Sequence, residues 1–180
     1  MRFIETALPG AYVVELEERH DERGFFARAF CQREFGLQGL QTRISQANFS
    51  HNKRRGTLRG FHYQVAPTPE VKLIRVIAGA LHNVLVDMRP DSPTYRKNVA
   101  VALSAANRRA LYIPHQVATA IQTLEDDTQL FYLVSEFYTP ESERGLRFDD
   151  PALAIDWPLA VSEISPKDAS WPLLEEAQAK

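Results

Sequence analysis

Cysteine is nearly absent. Cys31 is the single one in 180 residues, so neither an internal disulfide nor a thiolate metal cluster can form, and a hydrophobic core must hold the fold as it does in reducing compartments. A cytoplasmic location is the expectation. An excess of one charge is also missing. Lys and Arg number 21 against 23 Asp and Glu, for a net charge of -2, which leaves no electrostatic footprint for nucleic acid. No stretch approaches the ~18 apolar residues of a membrane span, and the N-terminal MRFIETALPGAY lacks the basic segment and apolar run of an export signal. Neither nucleic acid nor membrane is an expected partner. No repeat, low-complexity tract or linker interrupts the chain. With 44% hydrophobic and 24% charged residues, the composition is that of an ordinary globular protein, and one domain over 1–180 is expected.

What is present is a series of short apolar or alternating segments: AYVVELE, KLIRVIA, LHNVLVDM, NVAVALS, ALYIP and the longer QLFYLVSEFY. Their length and Val, Ile, Tyr and Phe content read as strands. Turn-like breaks separate them, at Ala78-Gly79-Ala80, Arg89 to Pro93, Ala105-Ala106-Asn107 and Glu125-Asp126-Asp127. Evenly spaced strands of this kind predict an all-β, jelly-roll (cupin-like) barrel or sandwich. Helical patterning is confined to Cys31–Phe35 and to an Asp168–Ala179 tail in which Trp171-Pro172 sets a start. The tail from about residue 150 carries Leu153, Ile155, Trp157 and Ile164 and is expected to pack on the barrel and reach its site.

The segment LRGFHYQ, Leu58–Gln64, places Arg59 and His62 around a glycine. The two-residue period puts Gly60, His62 and Gln64 on one face, and Arg59 joins them only if the strand bulges at Gly60. A cupin-type metal site wants a second imidazole where Gln64 stands, and an amide is a poor substitute, so no metal is expected. Tyr132 and Tyr138 share a face if their strand is unbroken. Lys72 opens an apolar strand. Inside a barrel it would need an anionic partner or a substrate oxygen.

The ordered blocks DERGFFARAF, QANFSHNKRRGTLRGFHYQ, KLIRVIAGALHNVLVDMRPDSPTY, LFYLVSEFYTPESERGLRFDDPALAIDWP and SPKD resemble the sugar-nucleotide epimerases of the dTDP-4-dehydrorhamnose 3,5-epimerase family over nearly the whole chain. The resemblance implies a cofactor-free, metal-free homodimeric jelly roll acting on a nucleoside-diphosphate-linked 4-keto-6-deoxy sugar in deoxysugar and surface-polysaccharide synthesis. A C4 ketone acidifies the hydrogens on C3 and C5, so one base can remove either while a second group returns the proton from the other face. By resemblance His62 is the base, Asp168 its orienting carboxylate, Tyr132 the acid and Lys72 the oxyanion cation. Arg23 and Arg59 become the pyrophosphate clamp, Gln46 and Asn48 line the sugar and phosphate, and Phe26 and Tyr138 flank the nucleotide base.

The chain departs from that pattern in three places. Thr119 stands where the family's Gly-Phe-Ala-His-Gly-Phe run carries histidine. Asn83 replaces a common aspartate, and Arg28 replaces a glutamate near the base. His115 is one place out of register and does not substitute for the missing histidine. The first two changes are expected to be coupled, an amide and a hydroxyl replacing a charged pair within hydrogen-bond distance, on a wall opposite His62. They favour two alternatives beside 3,5-epimerisation: a narrower 3-epimerase or ketoisomerase, and a catalytically weakened sugar-nucleotide-binding barrel.

Overall fold

The computed structural model describes residues 1–174. Thirteen strands and two short helices follow one another as β1 Arg2–Glu5, β2 Tyr12–Glu15, β3 Arg19–Asp21, β4 Gly24–Phe26, α1 Gln32–Leu37, β5 Gln46–Asn52, β6 Leu58–Gln64, β7 Lys72–Ala78, β8 Ala80–Asp87, β9 Asn98–Ser104, β10 Ala110–Ile113, β11 Val117–Thr123, β12 Thr128–Val134, β13 Glu143–Gly145 and α2 Pro166–Ala169. A six-stranded sheet runs in the order β1-β2-β10-β7-β12-β5, a five-stranded sheet in the order β13-β6-β11-β8-β9, and β3 and β4 form a separate hairpin. The result is a jelly-roll sandwich in which every named strand pairing is antiparallel.

The two-residue period assigns faces. On β7, Ile74 and Val76 enter the core between the sheets with Leu81 and Leu85 of β8, Ile121 of β11 and Leu130 of β12. The alternate residue Leu73 joins a second cluster outside the six-stranded sheet, built on Phe35 of α1 with Val14 and Tyr112. That helix covers part of the outer face. Ile77, Phe49 and Phe131 remain uncovered at 45%, 60% and 41% exposure, with Phe131 of β12 directly opposite Phe49 of β5.

The described chain after β13 lies against the outer face of the five-stranded sheet. Leu146, Leu153 and Leu174 are buried there against Phe61, Val84, Val86 and Ala118, with Ile155 and Trp157 beside them. Backbone bonds stitch the segment to the barrel: Leu58 N–H donates to the Glu163 carbonyl at 2.8 Å and Ser162 N–H to the Gly56 carbonyl at 3.0 Å. The expected tail helix begins earlier than Trp171-Pro172 implied, as the single turn α2. Residues 170–173 of the expected Asp168–Ala179 helix are not helical, and 175–179 lie outside the described residues.

The long strand read in QLFYLVSEFY stops at Val134. Ser135 is buried, its hydroxyl accepting from Val71 N–H at 2.8 Å and its carbonyl from Ser45 Oγ at 2.7 Å, so the chain leaves the sheet there. Tyr138 therefore does not share a strand face with Tyr132.

Candidate active site

A bulge in β6 sets the first half of the site. His62 faces Thr119 of β11 and Arg59 faces Ile121, so Gly60 and Phe61 together oppose Ala120; one extra residue sits on β6, and both His62 and Arg59 line the same cleft. Gly60 makes the bend. Its φ is +112°, and a Cβ there would lie 2.5 Å from the Thr119 carbonyl oxygen, so no other residue fits. Gln64, two residues on, turns away from the chemistry. Its amide donates to the carbonyls of Thr68 and Phe137 and accepts from Thr139 N–H.

The same bend brings β6 onto α2. Ser165 caps that turn, its Oγ accepting from Asp168 N–H at 3.0 Å, which aims the buried Asp168 carboxylate at His62. Oδ1 lies 2.6 Å from His62 Nε2, and Oδ2 accepts from Gly60 N–H at 3.1 Å. Burial alone would raise the Asp168 carboxyl. The bonds from His62 and Gly60 outweigh it and hold the group below the usual aspartate range. An ionised acceptor fixes the imidazole tautomer: the proton sits on Nε2, and Nδ1 keeps its lone pair.

The second half comes from the other sheet. Tyr132 of β12 lies opposite Ile74 of β7 and Asn48 of β5. Both Tyr132 and Lys72 line the cleft, which holds about 500 Å³. Burial first, and then the Glu70 carboxylate, push the Tyr132 phenol above its ordinary value against an opposing pull from Arg59, which keeps it protonated at neutral pH. Lys72 Nζ is paired with Glu70, their side chains only 13% and 12% exposed. His62 and Tyr132 thus reach the cleft from facing sheets, an arrangement that can remove a proton from one face of a carbon and return one to the other.

The remaining sequence-named residues divide. Gln46 and Asn48 lie on the half-buried face of β5 that also carries Ser50, a cleft residue. Arg59 is tethered through Nε to Asn52 Oδ1 at 2.6 Å. Tyr138 stands outside the cleft lining, its hydroxyl donating to Glu143 Oε2 at 2.8 Å and its ring under Lys167. Arg23, Phe26 and Arg28 belong to the β3–β4 hairpin and the residues after it, exposed and away from this chain's cleft; Arg23 pairs with Asp21 at 2.6 Å. Asn83 is buried behind Thr119 and donates to its Oγ1 at 2.8 Å, within the expected distance. The pair is not opposite His62, however: Thr119 is its in-register neighbour on the same sheet.

Sequence reasoning missed Glu70, Ser165 and Lys167. PEVK did hold the i, i+2 signal for Glu70 and Lys72, and Ser-Pro-Lys-Asp is a capping pattern. Lys167, which lines the cleft, gave no separate signal because Asp168 beside it absorbed the motif.

Comparison with known proteins places the whole chain among relatives of one kind. The family model described as dTDP-4-dehydrorhamnose 3,5-epimerase matches residues 5–176. A dTDP-4-dehydrorhamnose 3,5-epimerase of Methanothermobacter thermautotrophicus is 42% identical over 97% of this chain and 95% of its own. A dTDP-4-dehydrorhamnose 3-epimerase of Streptomyces niveus is 35% identical over 99% of this chain and 86% of its own. The solved dTDP-6-deoxy-D-glucose-3,5-epimerase of Legionella pneumophila, in complex with dTDP-4-keto-L-rhamnose, superposes with a TM-score of 0.88 at 40% identity, covering 97% of this chain and 93% of that one.

Proposed function

The chain belongs to the dTDP-4-dehydrorhamnose 3,5-epimerase family, and from that premise we propose that it is a cofactor-independent isomerase of a dTDP-linked 4-keto-6-deoxyhexose, inverting C3 and C5. The observation that carries the reading is the placement of His62, held by Asp168, and Tyr132 on facing sheets of one cleft. His62 Nδ1 takes the proton from a carbon next to the ketone, and the electron pair of the broken C–H bond moves into the carbon framework to leave an enolate. Lys72 stabilises the oxygen that gains charge. Tyr132 then delivers a proton to the opposite face of the same carbon, and both groups return to their starting protonation states by exchange with solvent.

The diphosphate is the ligand for Arg59, with Gln46 and Asn48 on the sugar side. Arg23, Phe26 and Arg28 do not line the cleft of their own chain, which supports a homodimer in which the hairpin of one protomer reaches the partner's site. The uncovered Phe49, Phe131 and Ile77 face supports the same assembly. Each chain acts in this reading as a single jelly-roll unit. Location in the cytoplasm accompanies it, supported by the lone free Cys31 and by the fact that no helix among the described residues is long and apolar enough to cross a membrane.

A narrower 3-epimerase is the second reading, favoured by Thr119 and Asn83 and by the similarity to the Streptomyces niveus protein. Incubation with dTDP-4-keto-6-deoxyglucose in heavy water separates the two. Deuterium at both C3 and C5 is the expected result, deuterium at C3 alone supports the narrower enzyme, and bound sugar with no exchange contradicts both.

A further inference from the structure

Thr119 offers the cleft a hydrogen-bond donor whose direction is set by Asn83. Asn83 is fully buried, and its Nδ2 donates to Thr119 Oγ1 at 2.8 Å and to the Ala120 carbonyl at 3.1 Å. The amide cannot be turned over: Oδ1 would then oppose the carbonyls of Ala120 and Val84, both of which now face Nδ2. Its Oδ1 is left without a partner among the described residues, so the orientation is kept at the expense of one unsatisfied acceptor. Because Thr119 Oγ1 accepts from Asn83, its own proton must point elsewhere. No described protein acceptor meets it, and Thr119 lines the cleft. Directly across the strand pair stands His62, and in-register side chains on neighbouring strands lie ~5 Å apart.

A hydroxyl about 5 Å from the base is within reach of the ketone oxygen, which lies two bonds from the carbon that loses its proton. Resting on the epimerase reading above, we infer that Thr119 is a catalytic residue that donates a hydrogen bond to the ketone oxygen as it becomes an enolate oxygen, with Asn83 as the positioning residue that keeps the donor aimed. No proton is transferred from Thr119. The C–H proton goes to His62, the oxygen gains charge, and the Thr119 bond strengthens as it does so, alongside the cation of Lys72 from the facing sheet. An aspartate at position 83 would act in the opposite sense, accepting the Thr119 proton and withdrawing it from the cleft. The oxygen is common to deprotonation at C3 and C5, so the donor serves both.

The test measures deuterium incorporation at C3 and C5 of dTDP-4-keto-6-deoxyglucose by wild type, Thr119→Val, Thr119→Ser, Asn83→Leu and the Asn83→Leu/Thr119→Val double variant, with thermal melts confirming that each is folded. Thr119→Val keeps the shape and loses the donor, and is expected to lower kcat about tenfold or more at both carbons with little change in KM. Thr119→Ser should restore the rate to within about threefold of wild type. Asn83→Leu should slow exchange in the wild-type background and add nothing in the Thr119→Val background, because it acts only through the hydroxyl. Undiminished exchange by folded Thr119→Val overturns the inference alone. Loss confined to one carbon overturns the ketone oxygen as acceptor, and additive losses overturn the role of Asn83. A wild type that exchanges neither position would overturn the epimerase reading itself.

Discussion

At His62 one hydrogen bond decides which ring nitrogen keeps its lone pair. Asp168 claims Nε2 at 2.6 Å, and because its carboxyl is held below the usual aspartate range it remains an acceptor wherever an imidazole titrates. Tyr132 is tuned in the opposite direction. Burial and then Glu70 raise its phenol, so the acid stays protonated past the ordinary phenol value of ~10. The sign of the Glu70 effect is testable. A carboxylate beside the phenol disfavours tyrosinate, so Glu70→Gln should lower the Tyr132 pKa and move the alkaline limb of kcat/KM to lower pH; an unmoved limb would mean that Glu70 does not reach the acid. Lys72, Tyr132, His62 and Asp168 were all legible through family motifs. Glu70 was not, because an acidic residue two places before a lysine on a strand usually describes a solvated edge. Only closure of the barrel turns that pair inward.

Among the elements, β7 and β9 coincide with KLIRVIA and NVAVALS because their alternation is the ordinary one, apolar toward the core. Among the strands missing from the strand-like segments, β5 and β11 escaped for physical reasons. β5 inverts the pattern, with Gln46, Asn48 and Ser50 inward and Ala47, Phe49 and His51 exposed, since its inner face meets a cleft rather than a core. β11 is buried along its whole length and reads VATAIQT, in which small Ala and Thr residues between Val117 and Ile121 mask the alternation, and β6 and β8 flank it closely. Gly60 shows how close. A Cβ there would meet both the Thr119 carbonyl and Ala120 Cα, at 2.5 and 2.7 Å, with φ at +112°. Gly60→Ala is expected to cost about 1–3 kcal/mol of stability, read as a lower melting temperature. It should also disturb the His62–Asp168 bond, because Gly60 N–H holds the second carboxylate oxygen. An alanine variant with wild-type melting and exchange rates would contradict the close approach of β6 and β11.

For the whole molecule, regular strand spacing sufficed to indicate a jelly roll, whereas the proposed homodimer could be read only from family likeness. The structure adds a reason for it. One face of the six-stranded sheet keeps Phe49, Phe131 and Ile77 in water, and burying a phenylalanine side chain contributes roughly 1.5–3 kcal/mol. The hairpin bearing Arg23 and Phe26 meanwhile stands apart from its own cleft. Phe131→Glu should therefore give a monomer by sedimentation and lose most activity, since each cleft would lack the partner's hairpin. A variant that stays dimeric, or a fully active monomer, would contradict the shared-site assembly.

In the proposed mechanism base and acid act from facing sheets on the two faces of one carbon, and proton exchange and inversion followed together in heavy water test it. His62→Asn keeps a donor for the buried Asp168 carboxylate but removes the base, and should abolish deuterium incorporation at both C3 and C5. Tyr132→Phe should still incorporate deuterium, because His62 can remove a proton and return a solvent-derived deuteron from its own side, yet should yield sugar of unchanged configuration. Inversion by Tyr132→Phe at the wild-type rate, or exchange by His62→Asn at the wild-type rate, would contradict the account.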